Sequence, residues 1–150
     1  MTFCRHILRV LLGAVFCYAG VAKALNPGQF AIDIDHYRLL PDVALAPLAL
    51  YLPWLEIVSG IGVVFGPARR GALLVLLVLN LVFILAIGSA LVRGLDIACG
   101  CFGAALSMGL SLSLARNALL GAANLWLLCE EKRVAREIPP AIAKATAELP

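Results

Sequence analysis

Residues 72–92 read ALLVLLVLNLVFILAIGSALV, and this stretch decides the fold class of the chain. It carries no charged residue, and a helix needs roughly 20 apolar residues to cross the hydrocarbon core of a bilayer. Three more apolar runs of similar length lie at 7–25, 45–65 and 110–129. The sequence therefore predicts an all-α membrane protein, a bundle of four transmembrane helices.

The composition of the whole chain supports the same class. Of 150 residues, 63% are hydrophobic and 14% are charged, with a mean hydropathy of +0.99. Soluble domains are nearer half apolar and a quarter charged, and a small domain has too little interior to hide the excess. The solvent is therefore the lipid bilayer. The net charge of +3 forms no basic patch, which excludes a nucleic-acid partner.

The basic residues predict the orientation, because Lys and Arg concentrate in short cytoplasmic connections. We expect a multi-pass protein of the bacterial inner membrane with both termini cytoplasmic and residues 93–109 facing the periplasm. Residues 1–131 would form the membrane domain and 132–150 a charged cytoplasmic tail. The first span is interpreted as retained, since Lys23 near its end argues against signal-peptide processing. The basic residues on the predicted cytoplasmic side are Arg5, Arg9, Arg69, Arg70, Lys132, Arg133 and Arg136.

The first outer connection predicts a short amphipathic helix on the membrane surface. Asn26-Pro27 ends the first span, and Pro41 is expected to close the surface helix. Its apolar residues recur at helical spacing, which is typical of a helix lying in the interface; they are Phe30, Ile34, Tyr37 and Leu40.

Polar residues inside the spans predict a polar core. Charges within a membrane are costly and normally face a protein interior or a water-filled cavity. Glu56 lies midway along the second span, on one helical face with Ser59, Gly60 and Val63, where small residues let another helix approach. The fourth span carries a similar stripe, formed by Arg116, Asn117, Leu120, Gly121 and Asn124.

The predicted helix directions bring Lys23, Arg93 and Arg116 near Glu56, in the outer half of the bundle. One interpretation is a structural Glu–Lys or Glu–Arg pair that holds the helices together. The other adds that the surplus of cations favours the thiolate form of a cysteine above them. The two interpretations are compatible.

Cys99-Gly100-Cys101 places two thiols one residue apart in the second outer connection. In an extended segment such residues share a face, and the oxidising outer compartment lets them persist as a disulfide. So small a ring is strained, which makes the bond labile. Redox exchange, metal capture and a structural role all remain open for this pair. Cys4, Cys17 and Cys129 are interpreted as small hydrophobic residues.

Five short motifs are distributed along the chain: Gly20-Val21-Ala22-Lys23, Leu40-Pro41, Leu52-Pro53-Trp54-Leu55-Glu56, Arg69-Arg70-Gly71 and Cys99-Gly100-Cys101-Phe102-Gly103. Together they resemble the MauE (methylamine utilisation protein E) group of the DoxX-like four-helix membrane proteins, over about residues 7–128. The resemblance implies a membrane partner in disulfide chemistry, associated with a thioredoxin-like periplasmic protein and with maturation of a disulfide-rich dehydrogenase subunit. It makes Cys99 and Cys101 the redox pair, above a polar core of Lys23, Glu56 and Arg116. The physiological substrate does not transfer.

The leading hypothesis is disulfide exchange between the cysteine pair and a periplasmic thioredoxin-fold protein or a disulfide-containing secreted substrate. Such exchange would make the protein a thiol-disulfide oxidoreductase, although the sequence leaves open whether it is an enzyme. The cofactor is unknown: a quinone near Lys23, Trp54 and Glu56 is compatible with the sequence, but no motif requires one. The alternatives are a soft-metal carrier for copper or mercury, for which further ligands are scarce and no metal site is assigned, and a non-catalytic membrane assembly factor.

Overall fold

The computed structural model describes residues 2–65, 68–95 and 109–137, and in these ranges it contains five helices and no strand. Four are long and one is short. In chain order they are α1 (Thr2–Leu25), α2 (Pro27–His36), α3 (Asp42–Phe65), α4 (Arg69–Val92) and α5 (Leu110–Glu137).

The four long helices are each long and apolar enough to cross a membrane, which confirms the predicted fold class. The spans cover Phe3–Leu25, Asp42–Phe65, Arg69–Val92 and Ser111–Glu131. Large apolar side chains point away from the bundle, and Leu85 on α4 is 71% exposed. In water such a surface would mark an interaction site or an aggregation hazard, whereas in a bilayer the lipid tails cover it. The chain is therefore a multi-pass membrane protein.

Helices α1 and α3 are antiparallel and their backbones nearly touch. A Cβ atom added to Gly13 would lie 2.7 Å from the carbonyl oxygen of Gly60, and one added to Gly20 would lie 2.7 Å from that of Pro53. Only residues without a side chain allow this approach, which is the usual way membrane helices gain close packing. The predicted small-residue face of α3 is thus the face that α1 covers, and Glu56, Ser59, Gly60 and Val63 are all buried.

Helices α4 and α5 form the second antiparallel pair, joined by buried amides. Asn80 of α4 donates to the Asn117 side chain at 3.4 Å, and Asn117 donates to the carbonyl of Ser113 at 2.8 Å. Gly121 leaves room for this contact, since a Cβ there would lie 2.8 Å from the Asn80 amide oxygen. Asn117 and Gly121, two members of the stripe predicted for the fourth span, therefore mediate the contact with α4.

An apolar core joins the two helix pairs and draws residues from all four spans. Its buried members are Leu12, Phe16, Val63, Leu73, Leu76, Leu79, Leu127 and Leu128. We call the end of the bundle where α1 begins and α5 ends the terminal end. The opposite end, where α1 meets α2 and where α4 finishes, is the loop end.

Helix α2 follows α1 at the loop end, but it is shorter than predicted. Pro27 is its first residue, a position where the missing N–H costs nothing, and the helix ends at His36. The expectation that it continues to Pro41 is wrong, because Arg38 adopts a left-handed backbone conformation with φ of 48°. Tyr37 and Leu40 therefore lie beyond the helix.

Candidate functional site

A buried ion pair joins α1 to α3 near the loop end. The Lys23 ammonium donates to both carboxylate oxygens of Glu56, at 2.6 and 2.8 Å, and the two side chains are only 2% and 1% exposed. Gly20, one turn before Lys23, permits this contact, since its Cβ position lies 3.2 Å from the Cβ of Glu56. The structure thus contains a Glu–Lys pair, the first of the two pairings that the sequence leaves open.

Two aromatic rings lie against the same ammonium group. The Lys23 Nζ is 4.5 Å from the ring centre of Phe83 on α4 and 5.3 Å from that of Phe30 on α2. Both distances are within the range of cation–π attraction, which strengthens when the cation is desolvated. Lys23 of α1 therefore contacts α2, α3 and α4, and it links these four helices near the loop end.

A small cavity of about 20 Å³, lined mostly by apolar side chains, adjoins the ion pair. A volume of this size is enough for one water molecule where several polar partners surround it. Polar groups from three helices line it, namely those of Lys23, Glu56 and Asn117. Asn117 of the α5 stripe is therefore part of the same polar region as the ion pair.

A larger apolar groove of about 670 Å³ lies between α2, α3 and α4. Phe30 and Phe83 form the wall between this groove and Lys23, because they line the groove and also contact the ammonium. Trp54, which the sequence groups with Lys23 and Glu56 around a quinone, is 61% exposed. Residues two apart on a helix point in nearly opposite directions, so Trp54 points away when Glu56 is buried.

The two predicted arginines of the polar core take different positions. Arg93 follows the end of α4 and is exposed, and its guanidinium donates to the carbonyl of Tyr37 at 2.9 Å. Arg116 is half-buried on α5, immediately before Asn117. Because Glu56 neutralises Lys23 locally, the surplus positive charge of the predicted polar core belongs to Arg93 and Arg116.

Cys99 and Cys101 lie outside the described residues, and the chain before them is described as far as Leu95. Leu95 donates its backbone N–H to the carbonyl of Ala90 at 3.0 Å. Its side chain packs on a small apolar cluster around Ile87 and Ala90, which Tyr37, Phe83 and Leu114 also join. The chain therefore leaves α4 at the loop end, beside the ring that contacts Lys23.

The remaining cysteines lie elsewhere. Cys4 and Cys129 are exposed near the terminal end, and Cys17 is half-buried in the α1–α3 contact, with its Sγ 3.6 Å from the carbonyl of Ile57. Among the described residues no group of three or more His, Cys, Asp or Glu side chains could hold a metal ion.

Sequence reasoning missed the ring contact that Phe83 makes with Lys23 and the ion-pair partner of Arg9. Phe83 lies in a continuous apolar run, where no sequence feature distinguishes a residue that contacts a cation. Phe30 was predicted only as part of the apolar face of the surface helix. Arg9 is buried at the terminal end and forms an ion pair with Glu131 of α5. A basic residue one turn inside a predicted span was the only signal for this pair, since its acidic partner is 122 residues away.

Comparison with known proteins gives matches at the level of sequence. The family model described as methylamine utilisation protein MauE matches residues 1–130. The methylamine utilization protein MauE of Paracoccus denitrificans is 34% identical over 117 residues, which cover 77% of this chain and 63% of that protein. The Methylorubrum extorquens protein of the same name is 36% identical over 132 residues, covering 85% and 69%. The chain thus spans about two thirds of the length of these relatives. No solved structure gives a significant match. By the extent of the family match, the chain belongs to the MauE family.

Proposed function

We propose that this protein is an inner-membrane thiol-disulfide exchange protein of a methylamine utilisation system. Cys99 and Cys101 are the reacting pair, they face the periplasm, and their partner is a thioredoxin-fold protein or a secreted protein that contains disulfides. The names of the relatives support the system, and the Cys-Gly-Cys sequence supports the chemistry.

The observation that carries the proposal is where the chain enters the cysteine segment. Leu95 belongs to the apolar cluster that includes Phe83, and Phe83 contacts the buried Lys23. Cys99 follows Leu95 by four residues. Even a fully extended chain therefore keeps the Cα atoms of Leu95 and Cys99 within about 14 Å of each other. This supports a redox segment at the same end of the bundle as the polar core.

The exchange needs only the two thiols and the partner disulfide. One cysteine thiolate attacks a sulfur of the partner disulfide, forming a mixed disulfide and releasing the other partner sulfur as a thiolate, which takes up a proton. The second cysteine, as its thiolate, then attacks the mixed disulfide. This closes the Cys99–Cys101 disulfide and releases a reduced partner. Two electrons pass to the partner, and the reverse sequence oxidises it.

The ion pair has a positioning role in this proposal. Lys23 and Glu56 hold α1 against α3. The contacts of Phe30 and Phe83 with Lys23 fix α2 and the loop-end half of α4 against the same pair. These elements lead into the connection that carries the cysteines. Arg93 is six residues before Cys99, and among the described residues its guanidinium bonds a neutral backbone carbonyl rather than a carboxylate. It is therefore the cation best suited to favour a thiolate.

Cysteine labelling in intact cells tests both the redox state and the orientation. Two variants are used. One keeps Cys99 and Cys101 and has serine in place of Cys4, Cys17 and Cys129, and the other keeps Cys4 as its single cysteine. A membrane-impermeant maleimide should label the pair only after reduction, whereas Cys4 should react only after the membrane is opened. A pair that is reduced yet unreactive from outside would contradict the proposal, as would labelling of Cys4 from outside.

A trapping variant tests the exchange step itself. Cys101→Ser leaves Cys99 without its neighbour, so a mixed disulfide with the partner should accumulate on non-reducing gels and disappear with reductant. Cys129→Ser is the matched control and should trap nothing. If the Cys99→Ser/Cys101→Ser chain supports growth on methylamine as well as the unmodified chain, the protein acts as a non-catalytic assembly factor instead.

A further inference from the structure

A cluster of arginines occupies the terminal end, away from the proposed redox segment. Arg9 is 5% exposed and forms an ion pair with Glu131. Arg70, at the start of α4, donates to the backbone carbonyl of Glu131 at 2.7 Å. The cluster therefore joins the beginnings of α1 and α4 to the end of α5.

Positive charge exceeds negative charge in this cluster. Arg5 and Arg69 lie close enough to Arg9 for their charges to act on its guanidinium. Glu130 and Glu131 are the acidic residues among the described side chains of this end, and Glu130 is 3.9 Å from the exposed Arg133. Glu131 is thus left as the counter-charge for four guanidinium groups, those of Arg5, Arg9, Arg69 and Arg70.

The same arginines carry buried donors without acceptors. The Nε atoms of Arg5, Arg9 and Arg69 are inaccessible to solvent and have no hydrogen-bond partner within the described part of the chain. Buried polar groups are almost always bonded, and an unbonded donor on a charged group is especially costly. Three such donors show that the protein itself compensates this cationic cluster poorly, which favours the binding of an anion.

The position of the cluster indicates which anion. Arg69 is the first residue of the third span, and Arg5 lies two residues inside the first, which places both near the edge of the hydrocarbon core. Large apolar side chains are exposed at the same end, with Phe3 and Phe65 each more than three-quarters exposed. Guanidinium groups bind phosphate through paired hydrogen bonds, and acyl chains would cover the aromatic rings.

We propose that Arg5, Arg9 and Arg69 form a binding site for the phosphate group of an anionic phospholipid at the terminal end of the bundle. The phosphate oxygens balance the excess charge and accept hydrogen bonds from the guanidinium groups of the half-buried Arg5 and Arg69, while Glu131 keeps Arg9 in place. Basic pockets between membrane helices are the usual form of such sites. The site is independent of the cysteine chemistry.

Native mass spectrometry of the detergent-solubilised full chain tests the site. Phosphatidylglycerol and phosphatidylcholine with identical acyl chains are titrated separately, and the expected result is at least tenfold tighter retention of phosphatidylglycerol. Arg69→Gln and Arg5→Gln should each reduce that preference about tenfold. Arg133→Gln removes an exposed charge at the same end and should leave the preference unchanged.

Two further experiments distinguish a lipid site from a site for a free anion, and a loss of binding from a loss of folding. Inorganic phosphate and glycerol 3-phosphate at millimolar concentration should fail to displace the lipid. Arg69→Lys keeps the charge but removes the guanidinium that bonds phosphate through paired hydrogen bonds. It should lose part of the preference while keeping the far-ultraviolet circular dichroism of the unmodified chain. Equal retention of the two lipids, displacement by inorganic phosphate, or an equal loss in Arg133→Gln would each overturn the proposal.

Discussion

Replacing Lys23 with methionine removes one partner of the buried ion pair and should destabilise the bundle strongly. Methionine is similar in length and can still contact the rings of Phe30 and Phe83. The substitution therefore deletes the charge with little loss of packing. What remains is the Glu56 carboxylate, 1% exposed and beside aromatic faces that attract cations but not anions.

The distances give the scale of the effect. Unit charges 2.6 Å apart attract by about 6 kcal/mol at an effective dielectric constant of 20, and the cost of desolvating both groups offsets much of this. Measured losses on breaking a buried pair are about 3–5 kcal/mol, and we expect about 3 kcal/mol for Lys23→Met. Glu56→Gln should cost less, about 2 kcal/mol, because Lys23 keeps its ring contacts and an amide oxygen can still accept.

The assay is reversible unfolding of the full chain in mixed detergent micelles, followed by far-ultraviolet circular dichroism. A double-mutant cycle with Lys23→Met and Glu56→Gln should give a coupling free energy of about 2 kcal/mol, since the double variant leaves no buried charge. Glu130→Gln is the matched control. Its partner Arg133 is 77% exposed and 3.9 Å away, so its cost should stay below about 0.5 kcal/mol.

Three results would refute this reasoning. Lys23→Met could cost no more than the Glu130→Gln control, which would mean that the buried pair contributes nothing measurable. The cycle could give no coupling, which would mean that the two residues act separately. Glu56→Gln could cost more than Lys23→Met, which would mean that the rings do not stabilise the ammonium.

Three further substitutions test the helix contacts. Gly20→Ala places a methyl group 2.7 Å from the Pro53 carbonyl oxygen, so α1 must move and we expect a loss of about 2 kcal/mol. Gly88→Ala meets nothing within 4 Å and should be neutral or stabilising by up to about 1 kcal/mol, as the same unfolding assay can show. Asn124 is fully buried, and with its amide suitably oriented it donates to the carbonyl of Leu73 at 3.2 Å. Asn124→Ala should therefore cost about 1–2 kcal/mol, and an unchanged unfolding midpoint would show that this amide does not hold α5 to α4.

The sequence predicts the spans well because each depends on a local property. Residues 72–92 must be a membrane helix whatever the other helices do, since no other environment accepts so long an uncharged run. The buried face of α3 follows equally from helical periodicity, which puts Glu56, Ser59, Gly60 and Val63 on one side.

Contacts between distant residues were not predictable in the same way. Helix α2 ends at His36 because of the backbone conformation at Arg38, a choice that the apolar spacing through Leu40 does not reveal. Trp54 faces away from Glu56 once α3 turns its small-residue face to α1. The candidate redox pair, Cys99 and Cys101, was found from residue chemistry alone and stays a prediction.

By itself, then, the sequence determined that this protein crosses the membrane four times and which helical faces are buried, because length, hydropathy and periodicity are properties of each segment. The tertiary structure decided that Lys23 meets Glu56 between two phenylalanine rings, and that Arg9 meets Glu131 beside unbonded arginine donors. Those pairings depend on how each helix is rotated and shifted against its neighbours. The close approaches at Gly13, Gly20 and Gly60 set that register, and it brings together residues far apart along the chain.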